Sequence, residues 1–120
     1  MRQKSAVVVG GCGFIGTHCV KRLLEEGFRV LCIDNLCRPS AQTNLGWITA
    51  SHLWPAGQFT FAYADIRHSH DLEGVLGDYI KQYGAPEMVI HQAAQVAVTL
   101  SVTAPRHDFE VNALGTFNVL

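Results

Sequence analysis

The sequence has no surplus of charge of either sign. Nine Lys and Arg stand against ten Asp and Glu, a formal net charge of -1. Such a balance provides no positive field to gather nucleic acid or anionic lipid, so neither is an expected partner, and attention turns to a small-molecule ligand. Proline is scarce, with four residues in 120, and charged residues make up only 16 %, a composition that disfavours extended disorder. Long apolar runs are missing too. The early run 6–9 is too short to cross a bilayer and reads as a buried strand. Cysteine is limited to Cys12, Cys19, Cys32 and Cys37. Cys12 lies inside a glycine cluster and no secretory leader is read ahead of it, so the expectation is free thiols in a cytoplasmic protein. The histidines, His18, His52, His68, His70, His91 and His107, contain no His-Glu-x-x-His pair, and the cysteine spacings match no zinc set, so no metal is expected.

What is present is 48 % apolar residues and 11 glycines in a length suited to one domain. Residues 5–10 form a β-branched run apolar on both faces, as a central parallel strand requires. Phe14, Cys19, Val20, Leu23 and Leu24 then recur at helical spacing, with Lys21, Arg22, Glu25 and Glu26 on the other side, which predicts a helix over 13–26 stopped by Gly27. A second strand over 29–33 completes a βαβ unit. Further elements are predicted as a helix near 42–50, a strand over 59–63, a helix over 69–82 and a strand over 88–91. A last helix starts at Pro105, with Phe109, Asn112, Thr116 and Leu120 at helical spacing. The pattern predicts an α/β fold, a Rossmann-type doubly wound parallel sheet with flanking helices. Only about half of such a domain is spelled out, and the apolar stretch 111–120 stops without a cap or polar tail, so a continuation of the chain is expected.

The sharpest local signal is Gly10-Gly11-Cys12-Gly13-Phe14-Ile15-Gly16, between a strand and a helix. Glycines there allow a tight turn, close backbone approach to a pyrophosphate and close helix–strand packing, while the helix N–H groups face the anion. Gly11, Gly13 and Gly16 spell one register and Gly10, Gly13 and Gly16 another, and spacing does not choose between them. A triphosphate-binding loop is disfavoured, because Thr17 and His18 follow Gly16 where a lysine would be needed. Asp34, at the end of the second strand, suits the ribose hydroxyls of adenosine and would repel a 2′-phosphate, which favours NAD over NADP. Arg38, four residues on, could supply a compensating charge. Asp65 and Ile66 follow the third strand, either as adenine contacts or as a turn aspartate beside a core isoleucine. His91 reads as a buried structural histidine, and the small Ala93 and Ala94 suit close passage of a dinucleotide. Asn112 reads as a buried amide tying strand-end backbone together. Thr99 and Ser101 are pocket candidates without a nucleophile elbow around them.

Gly10-x-x-Gly13-Phe14-Ile15-Gly16, Asp34-Asn35-Leu36, Asp65-Ile66-Arg67, His91-Gln92-Ala93-Ala94-Gln95 and Asn112-Ala113-Leu114-Gly115-Thr116 together resemble the extended short-chain dehydrogenase/reductase family of nucleotide-sugar epimerases and dehydratases. The resemblance covers the whole chain. It implies the Gly10, Gly13, Gly16 register, with Phe14 and Ile15 beside the pyrophosphate, Asp34 and Asn35 at the adenosine ribose, Asp65 and Ile66 at the adenine, and Ala93, Ala94 and Gln95 towards the nicotinamide of NAD. The segments 34–39, 95–99 and 108–116 are similar to epimerases of CDP-sugars, which implies a CDP-sugar substrate oxidised transiently at C2. Another sugar nucleotide, in 4-epimerisation or 4,6-dehydration, is the alternative, and a catalytically silent NAD-binding module is a third reading. The family's chemistry uses a Tyr-x-x-x-Lys pair. Tyr63, Tyr79 and Tyr83 all lack a lysine four residues later, so no catalytic residue is assigned here. The expectation is a partial NAD-binding domain over 1–120, without the remaining strands and the substrate lobe. Alone it would be inactive and poorly soluble; the full-length enzyme would be a homo-oligomer.

Overall fold

The computed structural model describes residues 3–50 and 54–120. Strands β1 (Ser5–Val9), β2 (Arg29–Asp34), β3 (Phe59–Tyr63) and β4 (Met88–His91) make one parallel sheet in the order β3-β2-β1-β4. Helices α1 (Phe14–Glu25), α2 (Ala41–Ala50) and α3 (Ser69–Tyr83) occupy the connections. After β4 come α4 (Val98–Thr103) and α5 (Pro105–Phe109), a π-helical turn over Glu110–Leu114, and α6 (Gly115–Val119). Backbone dihedrals stay helical from Phe109 through Gly115, so the expected last helix is one continuous rod with a π insertion. The short α4 is an addition to the sequence expectation. Six residues with no side-chain cap carry too little periodicity to be read.

The continuous apolar character of the central strands follows from their position. β1 lies between β2 and β4, with Val7 opposite both Leu31 and Val89, and all five of its residues are buried. Alternate side chains serve opposite faces. Ala6, Val8, Val30 and Cys32 pack against Val20, Leu23 and Leu24 of α1 and Ile48 of α2. Val7, Val9, Leu31 and Ile33 pack against Ile66, Leu72 and Tyr79, with Val111 and Val119 of the final rod beside them. Each fully buried Val, Leu or Ile contributes about 1.5–3 kcal/mol of transfer free energy, so these two small clusters hold the layers together. On the outer side of β4, Met88 and Val89 are exposed, as are Val98, Val102, Phe109 and Phe117 beyond it.

The same architecture sets which ends are open. α1 stops at Gly27, whose φ of 87° suits glycine, and the N–H groups of Gly27 and Phe28 cap the carbonyls of Leu24 and Leu23 at 3.0 Å. Parallel strands place all their C-terminal ends on one edge of the sheet, where the loops after β1, β2, β3 and β4 meet.

Glycine tolerance separates two kinds of position. Gly74 and Gly77 lie inside α3 with nothing within 4 Å of an added Cβ. Gly74→Ala and Gly77→Ala are each expected to raise stability by about 0.5–1 kcal/mol in urea denaturation. At Gly16 a Cβ would overlap the Gly10 carbonyl oxygen. Gly16→Ala is expected to lower stability by more than about 2 kcal/mol in the same measurement. Equal effects at Gly16 and Gly74 would contradict the close approach at the turn.

Candidate functional site

The turn after β1 is built from backbone contact. Gly10 N–H donates to the Ile33 carbonyl at 2.7 Å, one residue beyond the strand. Gly10 then adopts φ 81°, and a Cβ there would overlap the backbone nitrogen of Ala93. At Gly13 a Cβ would sit 3.4 Å from the Gly10 oxygen. Gly11 differs, because its bare Cα faces the core and a Cβ would come within 2.5 Å of Cys32 Sγ. Geometry thus separates the registers that spacing leaves open: Gly10, Gly13 and Gly16 border a cleft, whereas Gly11 serves packing.

The loop is pinned on its other sides. Cys12 N–H donates to Asp34 Oδ2 at 3.0 Å, and the Cys12 carbonyl accepts from Asn44 Nδ2 at 2.8 Å. Thr17 Oγ1 lies 2.5 Å from the Gly13 carbonyl and 3.2 Å from that of Gly11. α1 begins at Phe14 with no side-chain cap and no acidic residue in its first turn. The N–H groups of Phe14, Ile15 and Gly16 precede the first intrahelical bond, which Thr17 N–H makes to the Gly13 carbonyl at 2.9 Å. A positive helix end therefore opens on the cleft.

Two carboxylates organise the adjoining wall. Asp34 Oδ2 accepts from Cys12, and Asp34 Oδ1 accepts from Leu36 N–H at 2.8 Å, a bond that accompanies a φ of 58° at Leu36. Each oxygen keeps one acceptor site. Asp65 is more fully engaged. Its Oδ1 accepts from Arg67 N–H and Nε at 3.0 Å, and its Oδ2 from Arg67 Nη2 at 2.7 Å and Asn35 Nδ2 at 3.2 Å. All four acceptor sites are used within the chain, so an adenine amino group would have to displace one of these donors. The Arg67 hydrogen bonds hold the Asp65 carboxyl well below the usual carboxylate range, overcoming the opposite effect of burial, and Asp65 in turn raises Arg67.

The far wall follows β4. Asn112 Oδ1 accepts from Gln95 N–H and Asn112 Nδ2 donates to the Gln95 carbonyl, both at 2.8 Å. This is the strand-end tie expected of that amide, although Asn112 is half-buried. The Gln95 side chain is turned inward, with Nε2 at 2.8 Å from Asp108 Oδ1 and Oε1 accepting from Ala97 N–H at 2.5 Å. Thr116 Oγ1 donates to the Asn112 carbonyl at 2.8 Å, so it accepts from His91 Nε2 at 3.0 Å, which places the imidazole proton on Nε2. Burial pushes the His91 pKa down, and the ring holds the end of β4 to α6. Thr99 and Ser101 lie on α4, away from the residues lining the cleft, and Ser101 Oγ donates to the Val98 carbonyl at 2.5 Å.

All the residues proposed from sequence for the cofactor, Gly10, Gly13, Phe14, Ile15, Gly16, Asp34, Asn35, Arg38, Asp65, Ile66, Ala93, Ala94 and Gln95, line one cleft of about 760 Å³. Cys37, Arg67, His107 and Val111 also line it, beyond the residues proposed. Arg67 was readable from its place two residues after Asp65; His107 and Val111 come from a distant helix and carry no local signal. Thr17 and Asn44, which brace the glycine turn, gave no sequence signal beyond being polar. Among the described residues no group of three His, Cys, Asp or Glu comes together as a metal site, and no helix is long and apolar enough to cross a membrane. His52 lies outside the described residues.

Because the Asp65 pKa is depressed in the folded chain, its carboxylate stabilises the fold above the ordinary carboxylate range and that contribution is lost as pH falls. Asp65→Asn is expected to cost about 1–3 kcal/mol at pH 7. The gap from wild type should begin to narrow below about pH 4, where the unfolded carboxyl protonates, and close only at the lower pH where the folded carboxyl does. Urea titrations at several pH values measure it, and a gap independent of pH would rule out the ion pair as its source.

Residues 7–120 match the family described as GDP-mannose 4,6 dehydratase. Among curated proteins, the chain is 36 % identical over 114 residues to the CDP-paratose 2-epimerase of Salmonella typhi, covering 95 % of this chain and 31 % of that protein. It is 38 % identical over 117 residues to UDP-glucose 4-epimerase 3 of Oryza sativa subsp. japonica, covering 96 % of this chain and 30 % of that protein. The chain thus spans about a third of the length of these relatives. Among solved structures, the UDP-glucose 4-epimerase of Thermus thermophilus, in complex with NAD, superimposes with a TM-score of 0.73 at 36 % identity, over 96 % of this chain and 32 % of that one. The glycine turn, the four-stranded parallel sheet and these matches coincide along the same residues, and the chain belongs to the GDP-mannose 4,6 dehydratase family, among the NAD-dependent epimerases and dehydratases of nucleotide sugars.

Proposed function

We propose that this chain supplies the NAD-binding part of a nucleotide-sugar epimerase and that the whole enzyme inverts C4 of a UDP-hexose. The observation that carries the cofactor assignment is the glycine turn, where Gly10, Gly13 and Gly16 bring bare backbone to an uncapped α1 N-terminus. A Cβ at Gly10 or Gly16 would close the turn, so the cradle suits a pyrophosphate. Asp34 Oδ1 and Oδ2 each retain an acceptor site, matching the two ribose hydroxyls of adenosine, and the same charge disfavours a 2′-phosphate. Ala93 and Ala94 keep the β4 side of the cleft shallow, and Asn112 fixes the backbone of Gln95.

When bound, NAD takes a hydride from a sugar carbon and returns it to the opposite face, with no net oxidation. This chain's residues bind and orient; they do not carry the hydroxyl proton. A tyrosine base needs a lowered pKa, and burial raises that of Tyr79 instead. Neither Tyr79 nor Tyr83 lines the cleft, nor does Tyr63. No tyrosine of the described residues is therefore placed to take that proton in this cleft.

The C4 assignment has support from UDP-glucose 4-epimerases among both the curated relatives and the solved structures. A second reading, interconversion of CDP-paratose and CDP-tyvelose at C2, is favoured by the identity with the Salmonella protein. Incubation of the whole protein with UDP-glucose and with CDP-paratose, followed by chromatography of the products, separates the two. UDP-galactose as the product supports the first; CDP-tyvelose alone would replace it with the second. By calorimetric titration the protein is expected to bind NAD at least about tenfold more tightly than NADP. Asp34→Asn should narrow that ratio, whereas equal affinities in the wild type would remove the preference for NAD.

A further inference from the structure

We propose that Cys12 and Cys32 form an oxidation site beneath the glycine turn, joined as a disulfide by hydrogen peroxide, and that this disulfide weakens dinucleotide binding. The second part rests on the NAD assignment above. Cys12 Sγ lies 3.8 Å from Cys32 Sγ, and both residues are fully buried. The contact exists because Gly11 is bare: a Cβ there would come within 2.5 Å of Cys32 Sγ. Cys37, by contrast, is exposed at the cleft, and Cys19 lies on α1.

A disulfide requires the two sulfurs to close to about 2.0 Å. β2 cannot supply that movement, because Cys32 is paired with Val8 of β1 on one side and Phe61 of β3 on the other. It falls to Cys12, in a turn between Gly11 and Gly13, where the neighbouring residues have no Cβ to restrict the backbone. Cys12 N–H donates to Asp34 Oδ2 at 3.0 Å and its carbonyl accepts from Asn44 Nδ2 at 2.8 Å, so drawing Cys12 inward disturbs both bonds. The displacement is thereby passed to Asp34, the carboxylate assigned to the ribose, and to Gly13, at the edge of the pyrophosphate cradle. The hydrogen bond with Cys12 and burial raise the pKa of the Cys32 thiol, which makes Cys12 the sulfur that meets the oxidant as the turn opens. Cys12 sulfur breaks the O–O bond of the peroxide, giving a sulfenic acid and water; Cys32 sulfur then attacks the sulfenic sulfur, forming the S–S bond and releasing a second water. Two thiols are oxidised, one peroxide is reduced, and both thiol hydrogens end on water.

The test uses the whole protein, first reduced and then exposed to hydrogen peroxide, with cross-linked peptides read by mass spectrometry and NAD affinity titrated before and after. A peptide linking Cys12 to Cys32 is expected, with NAD affinity at least about tenfold lower and restored by dithiothreitol. Because such coupling is reciprocal, NAD added first should slow the appearance of the linked peptide. Cys12→Ala and Cys32→Ala should each keep their own NAD affinity through peroxide treatment, whereas Cys37→Ala should lose it as the wild type does. Unfolding temperatures taken first show which of the two buried substitutions folds, and either suffices. Absence of the linked peptide, or oxidation at Cys37 alone, would overturn the site; linked protein with unaltered NAD affinity would overturn its effect on the cleft. A linked peptide in a protein that binds no NAD even when reduced would leave the oxidation site standing and overturn the cofactor assignment.

Discussion

The closeness of backbone to backbone at the glycine turn is the constraint on which the rest depends. Gly16 lies directly beneath the carbonyl of Gly10, and Gly10 in turn meets the nitrogen of Ala93. Those contacts bring the start of α1, the end of β1 and the loop after β4 together at one point. If any of the three were held away by a side chain, α1 could not lie on β1 while its N–H groups faced the cleft. The buried face of α1, through Val20, Leu23 and Leu24, would then lose its register on Ala6 and Val8. Core packing and the opening of the α1 N-terminus onto the cleft are two consequences of the same approach.

Around that point, polar side chains act on backbone more than on one another. Asp34 fixes Cys12 and Leu36, Asn44 fixes Cys12 from the opposite side, and Asn112 holds both backbone groups of Gln95. Loops with few apolar contacts acquire defined positions in this way. The cleft walls are thus set before a ligand arrives, which reduces the ordering that binding must accomplish. Asp65 and Arg67 show the other side of this economy: a carboxylate with every acceptor site used is a support for its loop first.

The division of chemistry within the fold also becomes clear. The described residues bring the free N–H groups of the α1 N-terminus, the Asp34 carboxylate and the exposed Arg38 guanidinium together on the C-terminal edge of a parallel sheet. The tyrosines of α3 pack at the other end, where Tyr83 carries Arg29 over its ring at 4.0 Å and stacks near Tyr79. The cleft and the α3 tyrosines therefore lie at opposite ends of the sheet.

Much of this was legible in the sequence because it is local. Apolar runs at 5–9, 29–33, 59–63 and 88–91 determine the strands, and Val20, Leu23 and Leu24 at helical spacing mark the buried face of α1; Phe14, grouped with them by the sequence pattern, is instead exposed because it opens the helix at the cleft. The glycine turn and Asp34 were legible for the same reason: each sits at a strand end whose position the pattern already fixes. Other features depended on contacts between segments distant in the chain. Which glycines face the cleft was decided by Cys32 lying behind Gly11 and Gly10 lying over Gly16. That Asp65 is saturated, that Arg38 reaches Ala94, and that Asn112 reads the backbone of Gln95 from a π-helical turn are facts of tertiary placement. The sequence by itself determined the elements and the chemistry available at their ends, because periodicity and residue type are local properties. Only the tertiary structure decided which of those groups remain available to a ligand, because hydrogen-bonding capacity is shared among whatever neighbours the fold brings within reach.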